Sequence, residues 1–178
     1  MSGDNRKRYA IVGTGARSAM YSAALLGEFR DEAALVGYCD TNQTRMDYYN
    51  RVYAEQFDAP PVATYKAEDF DRMLDEQRVD TVIVTTPDRV HDRYIIGAME
   101  RGRDVITEKP MTIDAARCQA ILDARRATGR TLTVTFNYRY APRNSTVKEV
   151  LRSGAIGRTI ARSRRTIRSR SIWGRANA

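Results

Sequence analysis

Gly13 and Gly15, within Tyr9-Ala10-Ile11-Val12-Gly13-Thr14-Gly15-Ala16-Arg17-Ser18, have the spacing of a phosphate-holding turn. A short apolar run breaks there into glycines and then into a helical pattern, which reads as strand, tight turn and helix. Gly13 can take backbone angles closed to residues with a side chain. Gly15 has no Cβ to keep the main chain from a pyrophosphate lying on the helix N-terminus. The expected ligand is a dinucleotide, held by Gly13, Thr14, Gly15, Ala16 and Arg17. The third small position of the G-x-G-x-x-G/A fingerprint is Ser18, so helix-to-strand packing is expected to be slightly looser. An ordinary glycine turn reads the same in isolation, so the surrounding elements decide.

Asp40 lies 25 positions beyond Gly15, at the end of the apolar run Ala33 to Cys39. A carboxylate at the end of the second strand is placed to accept hydrogen bonds from an adenosine ribose. Its bland alternative is a turn or cap residue, since Asp40-Thr41-Asn42 precedes a helical pattern. Glycines and acid in this order favour the ribose. Such an acid accepts from a free 2′-hydroxyl and repels a 2′-phosphate, which predicts NAD before NADP, although Arg17 and Arg45 are near enough in sequence to offset the repulsion.

The elements that must position these groups alternate along the chain. Helical patterns run over Ala19 to Leu26, over Met46 to Phe57 with its aromatics turned to the core, and over Phe70, Met73 and Leu74. Thr81-Val82-Ile83-Val84-Thr85 is β-branched throughout, as expected of an inner parallel strand covered on both faces. Thr86-Pro87 ends it. Val90, Tyr94, Ala98 and Met99 line the next helix, and Asp104 to Thr107 is a fifth strand running into Glu108-Lys109-Pro110. Thr112 is expected to cap a helix carrying Ala115, Cys118 and Leu122 inward, and Thr131 to Phe136 supplies a sixth strand. Val147, Val150 and Leu151 mark a last helix. This alternation predicts an α/β fold, a Rossmann-type doubly wound parallel sheet with ligands outside the carboxyl ends of its strands. Gly13 to Ser18, Asp40, Thr86-Pro87, Glu108-Lys109 and Asn137 all fall at such ends.

Composition removes several alternatives. The formal charge is +8, but seven arginines and no acid lie between Arg158 and Ala178, which leaves +1 for residues 1–157 and no electrostatic reason to bind nucleic acid there. Cys39 and Cys118 stand alone, against a zinc site or a disulfide framework, and fit a reduced cytoplasmic setting. No apolar run approaches the roughly 18 residues of a membrane span, so neither metal nor membrane is expected.

At Glu108-Lys109-Pro110 the chain resembles the N-terminal domain of the glucose-fructose oxidoreductase and inositol dehydrogenase family (Gfo/Idh/MocA). The likeness covers roughly residues 8–160: Gly13-Thr14-Gly15, Asp40, Thr86-Pro87 with His91 four residues on, Glu108-Lys109-Pro110, and Asn137-Tyr138-Arg139-Tyr140. The resemblance implies an oxidoreductase moving hydride between NAD or NADP and a CH–OH carbon of a sugar, cyclitol or related polyol. Glu108 would sit near the nicotinamide ribose, and Lys109 would reach the substrate oxygen as the catalytic group. An ordinary solvated lysine is the competing reading. Thr86, Pro87, His91 and Asn137 are the remaining expected cofactor-binding residues, with capping or a cofactor-edge contact for His91. Asn137 and Arg139 could equally tie down the chain where it leaves the sheet.

Family members carry a C-terminal α+β domain that this chain is expected to lack. Residues 1–157 are therefore expected to form one NAD(P)-binding domain, and 158–178 an Arg/Ser-rich tail that is disordered or out of frame. The competing functions are a non-catalytic dinucleotide-binding module, an inactive truncated fragment, and nucleic-acid binding through the tail. The chain alone is expected to bind dinucleotide without turnover.

Overall fold

The computed structural model describes residues 5–157; the expectation for the arginine-rich segment lies outside them. The chain divides into two compact units, residues 1–135 and residues 136–178.

The first unit is a six-stranded, wholly parallel sheet. Its strands are β1 (Lys7–Val12), β2 (Ala33–Asp40), β3 (Ala63–Lys66), β4 (Thr81–Val84), β5 (Asp104–Glu108) and β6 (Leu132–Thr135), in the spatial order β3-β2-β1-β4-β5-β6. The helices are α1 (Ser18–Leu26), α2 (Gln43–Phe57), α3 (Phe70–Glu76), α4 (His91–Glu100) and α5 (Ala115–Thr128). The doubly wound parallel sheet expected from the sequence is the one observed. Order reverses between β1 and β4, so their carboxyl ends open a crevice at the switch point.

Alternation along the central strands divides two cores. Ala10, Val12, Val82 and Val84 join Met73, Leu74, Ile95 and Met99 on one face, while Ile11 and Ile83 join Leu25, Leu35, Tyr38 and Met46 on the other. All four residues of β4 are buried, as its β-branched sequence requires. Each fully buried aliphatic side chain contributes roughly 1.5–3 kcal/mol, and this two-sided burial holds the loops at the strand ends in place.

The start of α5 differs from expectation. Asp114 is the cap, its Oδ1 accepting from Arg117 N at 2.9 Å, and Ile121 rather than Leu122 is the buried residue. Thr112 is buried upstream with its hydroxyl unpartnered among the described residues. A carboxylate two residues later was the better acceptor for orphan helix N–H groups. The inward stripe runs through Cys118, Ile121 and Ala124, three residues apart, while Ala115 is exposed.

The second unit, as far as it is described, is a 3-10 turn (Asn137–Tyr140) followed by α6 (Pro142–Ser153), with proline in the first turn and Gly154 at φ 75° after the last. None of the residues of α6 is buried.

Candidate functional site

Gly13 sits at φ 91°, and a Cβ built on it would lie 2.7 Å from Thr86 N. Only glycine permits both the dihedral and this contact between the β1 and β4 ends. Gly13 N donates to Cys39 O at 2.8 Å, and Thr85 Oγ1 donates to Gly13 O at 2.6 Å, so neighbouring strands grip the turn. Gly15 is the reverse case. A Cβ there would meet nothing within 4 Å, so the space beside it is open to a ligand.

Ser18 is fully buried and its hydroxyl donates to Gly15 O at 2.7 Å. Tyr49 OH donates to the same carbonyl at 3.0 Å, and Tyr53 OH to Ala19 O at 3.2 Å. The aromatics of α2 therefore do two jobs: Tyr49 and Tyr53 stack with centroids 5.5 Å apart, and their hydroxyls pin the glycine turn and the first turn of α1 respectively. Sequence reading placed them in the core and missed the second role. A phenol at one end of an apolar ring was the signal available for it.

Asp40 ends β2 beneath the turn. Its Oδ2 accepts from Thr14 N at 2.5 Å and Thr14 Oγ1 at 2.8 Å; its Oδ1 accepts from Asn42 N at 2.8 Å and Thr41 Oγ1 at 3.3 Å. Burial works to raise the carboxyl pKa, but these donors outweigh it and hold it below the ordinary carboxylate range. Asp40 thus anchors the glycine turn, as the reading of it as a turn residue expects. A carboxylate has about four acceptor positions, so a ribose hydroxyl would exchange with a threonine hydroxyl here.

Beside Asp40 runs a cleft of about 440 Å³ whose walls include Gly13, Gly15, Arg45, Thr86 and Pro87. A second, of about 480 Å³, lies along Thr14, Ala16, Arg45 and Tyr49. Thr86 Oγ1 is buried and has no hydrogen-bond partner among the described residues. An orphaned hydroxyl at the cleft, with the void beside Gly15, is what a dinucleotide would fill.

At the end of β5, Glu108 is buried. Its Oε1 accepts from Tyr21 OH at 2.9 Å and lies 3.2 Å from Arg17 Nε, while Oε2 accepts from Lys109 N at 3.2 Å. Tyr21 OH also lies 2.9 Å from Thr135 Oγ1. Burial, with Glu108 beside it, pushes the Tyr21 phenol up to about 12, so it stays protonated and donating. Lys109 is exposed on the rim, joined to Pro110 by a cis peptide bond. His91, the first residue of α4, is buried with Nε2 2.8 Å from Thr86 O and Nδ1 3.0 Å from Pro110 O.

The strand ends therefore bring together Gly13, Thr14, Gly15, Ala16, Arg17, Asp40, Thr86, Pro87, Glu108 and Lys109, with His91 beneath. Asn137 is in the second unit, half-buried, with its Oδ1 accepting from Tyr138 N at 3.0 Å. Among the described residues no cluster of His, Cys, Asp and Glu could hold a metal ion, and no helix is long and apolar enough to cross a membrane.

A family model described as an oxidoreductase family with an NAD-binding Rossmann fold matches residues 7–136. Inositol 2-dehydrogenase of Rubrobacter xylanophilus is 30% identical over 161 residues, covering 88% of this chain and 43% of that protein. The WlbA dehydrogenase of Chromobacterium violaceum, solved with NADH and UDP-GlcNAcA, superposes with a TM-score of 0.68 at 27% identity, over 88% of this chain and 42% of that one. Myo-inositol 2-dehydrogenase from Lactobacillus plantarum shares the fold at a TM-score of 0.73 and 21% identity, over 87% and 43% of the two chains. The chain thus spans about two-fifths of the length of these relatives.

Proposed function

The chain belongs to the Gfo/Idh/MocA family of NAD-binding oxidoreductases, and we propose that its residues 1–157 are the cofactor-holding portion of an enzyme acting on CH–OH groups of a sugar, cyclitol or related polyol. One observation carries this reading. The open space at Gly15 and the unpartnered Thr86 hydroxyl share a rim with Asp40, Glu108 and Lys109, at the switch point of a parallel sheet.

Backbone N–H groups from Gly15 to Arg17, at the start of α1, would hold the pyrophosphate, with the Arg17 guanidinium beside them. Asp40 and Arg45 would border the adenosine ribose, where the carboxylate favours a free 2′-hydroxyl and so NAD. Thr86 and Pro87 would form the opposite wall, and Glu108 would meet the nicotinamide ribose. Bound NAD(P) supplies the hydride acceptor or donor. Lys109, exposed at the strand end, would donate a hydrogen bond to the substrate oxygen and offset negative charge developing there.

Hydride transfer also needs a carbon held at roughly 3–3.5 Å from the ring and water kept away. The rim at Gly15, Thr86, Asp40 and Glu108 bears on cofactor binding, so binding is measured before turnover. Fluorescence titration of the full chain with NADH and NADPH is the test, followed by a search for nicotinamide reduction across a panel of sugars and inositols. Saturable binding, tighter for NADH, is expected. Absence of saturable binding of either nucleotide overturns the reading; polyol-dependent turnover lost in Lys109→Ala would show that the chain also catalyses.

A further inference from the structure

His91 is the chain's one histidine, and at 1% exposure it is too deeply buried to act on a substrate. What it touches is informative. Nε2 lies 2.8 Å from Thr86 O, at the end of β4, and Nδ1 lies 3.0 Å from Pro110 O, in the turn after β5. Carbonyl oxygens only accept, so a ring with one N–H bonds one of them and a ring with two bonds both. Thr107 Oγ1, 3.5 Å from Nδ1, can serve that nitrogen as a donor when it lacks a proton. In either state a flat, rigid ring fills the gap between two loops that approach the cofactor from different strands.

Each loop has its own tie to the rest of the fold. Thr86 is locked against the glycine turn, since its backbone N is the atom a Gly13 Cβ would strike. The segment after β5 is tied to the fold by Met111 packed against the main core, by buried Thr112, and by the contact between Pro110 O and His91. Lys109 N otherwise bonds only the adjoining Glu108 carboxylate, at 3.2 Å.

We propose that His91 is a positioning residue for the nicotinamide half of the cofactor site: by spanning the Thr86 and Pro110 carbonyls it sets the distance from the adenosine-pyrophosphate wall to the Glu108-Lys109 turn. The inference rests on the dinucleotide reading above and assigns His91 to it without any contact to cofactor or substrate. A ligand that reaches only the adenosine and pyrophosphate wall is indifferent to that distance. A whole dinucleotide is not.

The experiment compares ADP with NADH by calorimetry on the full chain, for wild type, His91→Phe and His91→Gln, with the melting temperature of each. His91→Phe should weaken NADH about tenfold, a difference of about 1.4 kcal/mol, and leave ADP within about twofold. His91→Gln, whose amide can still serve one carbonyl, should fall between. Equal losses for ADP and NADH, or none for NADH, overturn the proposal. If the variants do not fold, nitrogen-15 spectra of the wild type decide, because a single histidine gives a single set of ring signals: NADH should shift them and ADP should not, and equal shifts or none overturn the proposal. Wild-type protein that binds neither ligand sinks the dinucleotide reading itself, a distinct outcome.

Discussion

Arg17 and Glu108 meet across the rim, guanidinium Nε 3.2 Å from carboxylate Oε1, so an ion pair ties the glycine turn to the end of β5. The partners are unequal, Glu108 being 7% exposed at its side chain and Arg17 42%. Solvent reaches the cation and weakens the pair, so Arg17→Ala should cost less than about 1 kcal/mol of stability. Tyr21 OH serves the same oxygen from a more sheltered position. Tyr21→Phe should cost about 1.5–3 kcal/mol, as for a hydrogen bond to a charged group. Because both donors meet Oε1, urea unfolding of the double variant should show a non-additive loss. Strict additivity would mean that the two contacts are independent.

Gly13→Ala and Gly15→Ala should separate folding from binding. At Gly13 the new Cβ would meet backbone at 2.7 Å with φ at 91°, and a loss of at least about 1–3 kcal/mol is expected. At Gly15 it meets nothing within 4 Å, so stability should stay near wild type while NADH binding falls by an order of magnitude or more. Thermal melts and NADH titration read the two effects. A Gly15→Ala variant that binds normally would show that the pyrophosphate does not lie there.

Asp40 makes stability depend on acid pH in a defined direction. Its folded pKa is held below the unfolded value of about 3.9 by donors from Thr14, Asn42 and Thr41. Its contribution is therefore fully present above that unfolded value and is lost as pH falls through the folded one. Asp40→Asn should be destabilised at pH 7 and converge on wild type in acid, followed by denaturant midpoints between pH 7 and pH 3. Parallel curves would mean that the carboxylate's charge does not matter. The same variant should narrow the preference for NADH over NADPH.

The two cysteines should differ in reactivity. Cys39 is fully buried in β2, and burial, with Asp40 adjacent, pushes its thiol up to about 12. Cys118 is half-buried on α5. An aromatic disulfide reagent at pH 8 should titrate one thiol in the native chain and both in guanidinium. Rapid reaction of both in the native state would show that β2 opens readily.

The strand-helix alternation, the parallel sheet and the glycine turn were all legible in the sequence because each is written in neighbouring residues. β-branched runs with two buried faces specify inner strands, and glycines after such a run specify a turn beneath a helix N-terminus. Asp40 was placed at the right strand end for the same reason. The start of α5 was misread because Thr112 and Asp114 are both good caps by type, and choosing between them needed the packing of the turn before it. The tertiary structure alone decided that Tyr21 and Arg17 serve Glu108, that Tyr49 pins Gly15, and that His91 spans Thr86 and Pro110. Those partners come from different strands and helices, and no local pattern records which polar tips will converge when a sheet twists and closes its loops over one crevice.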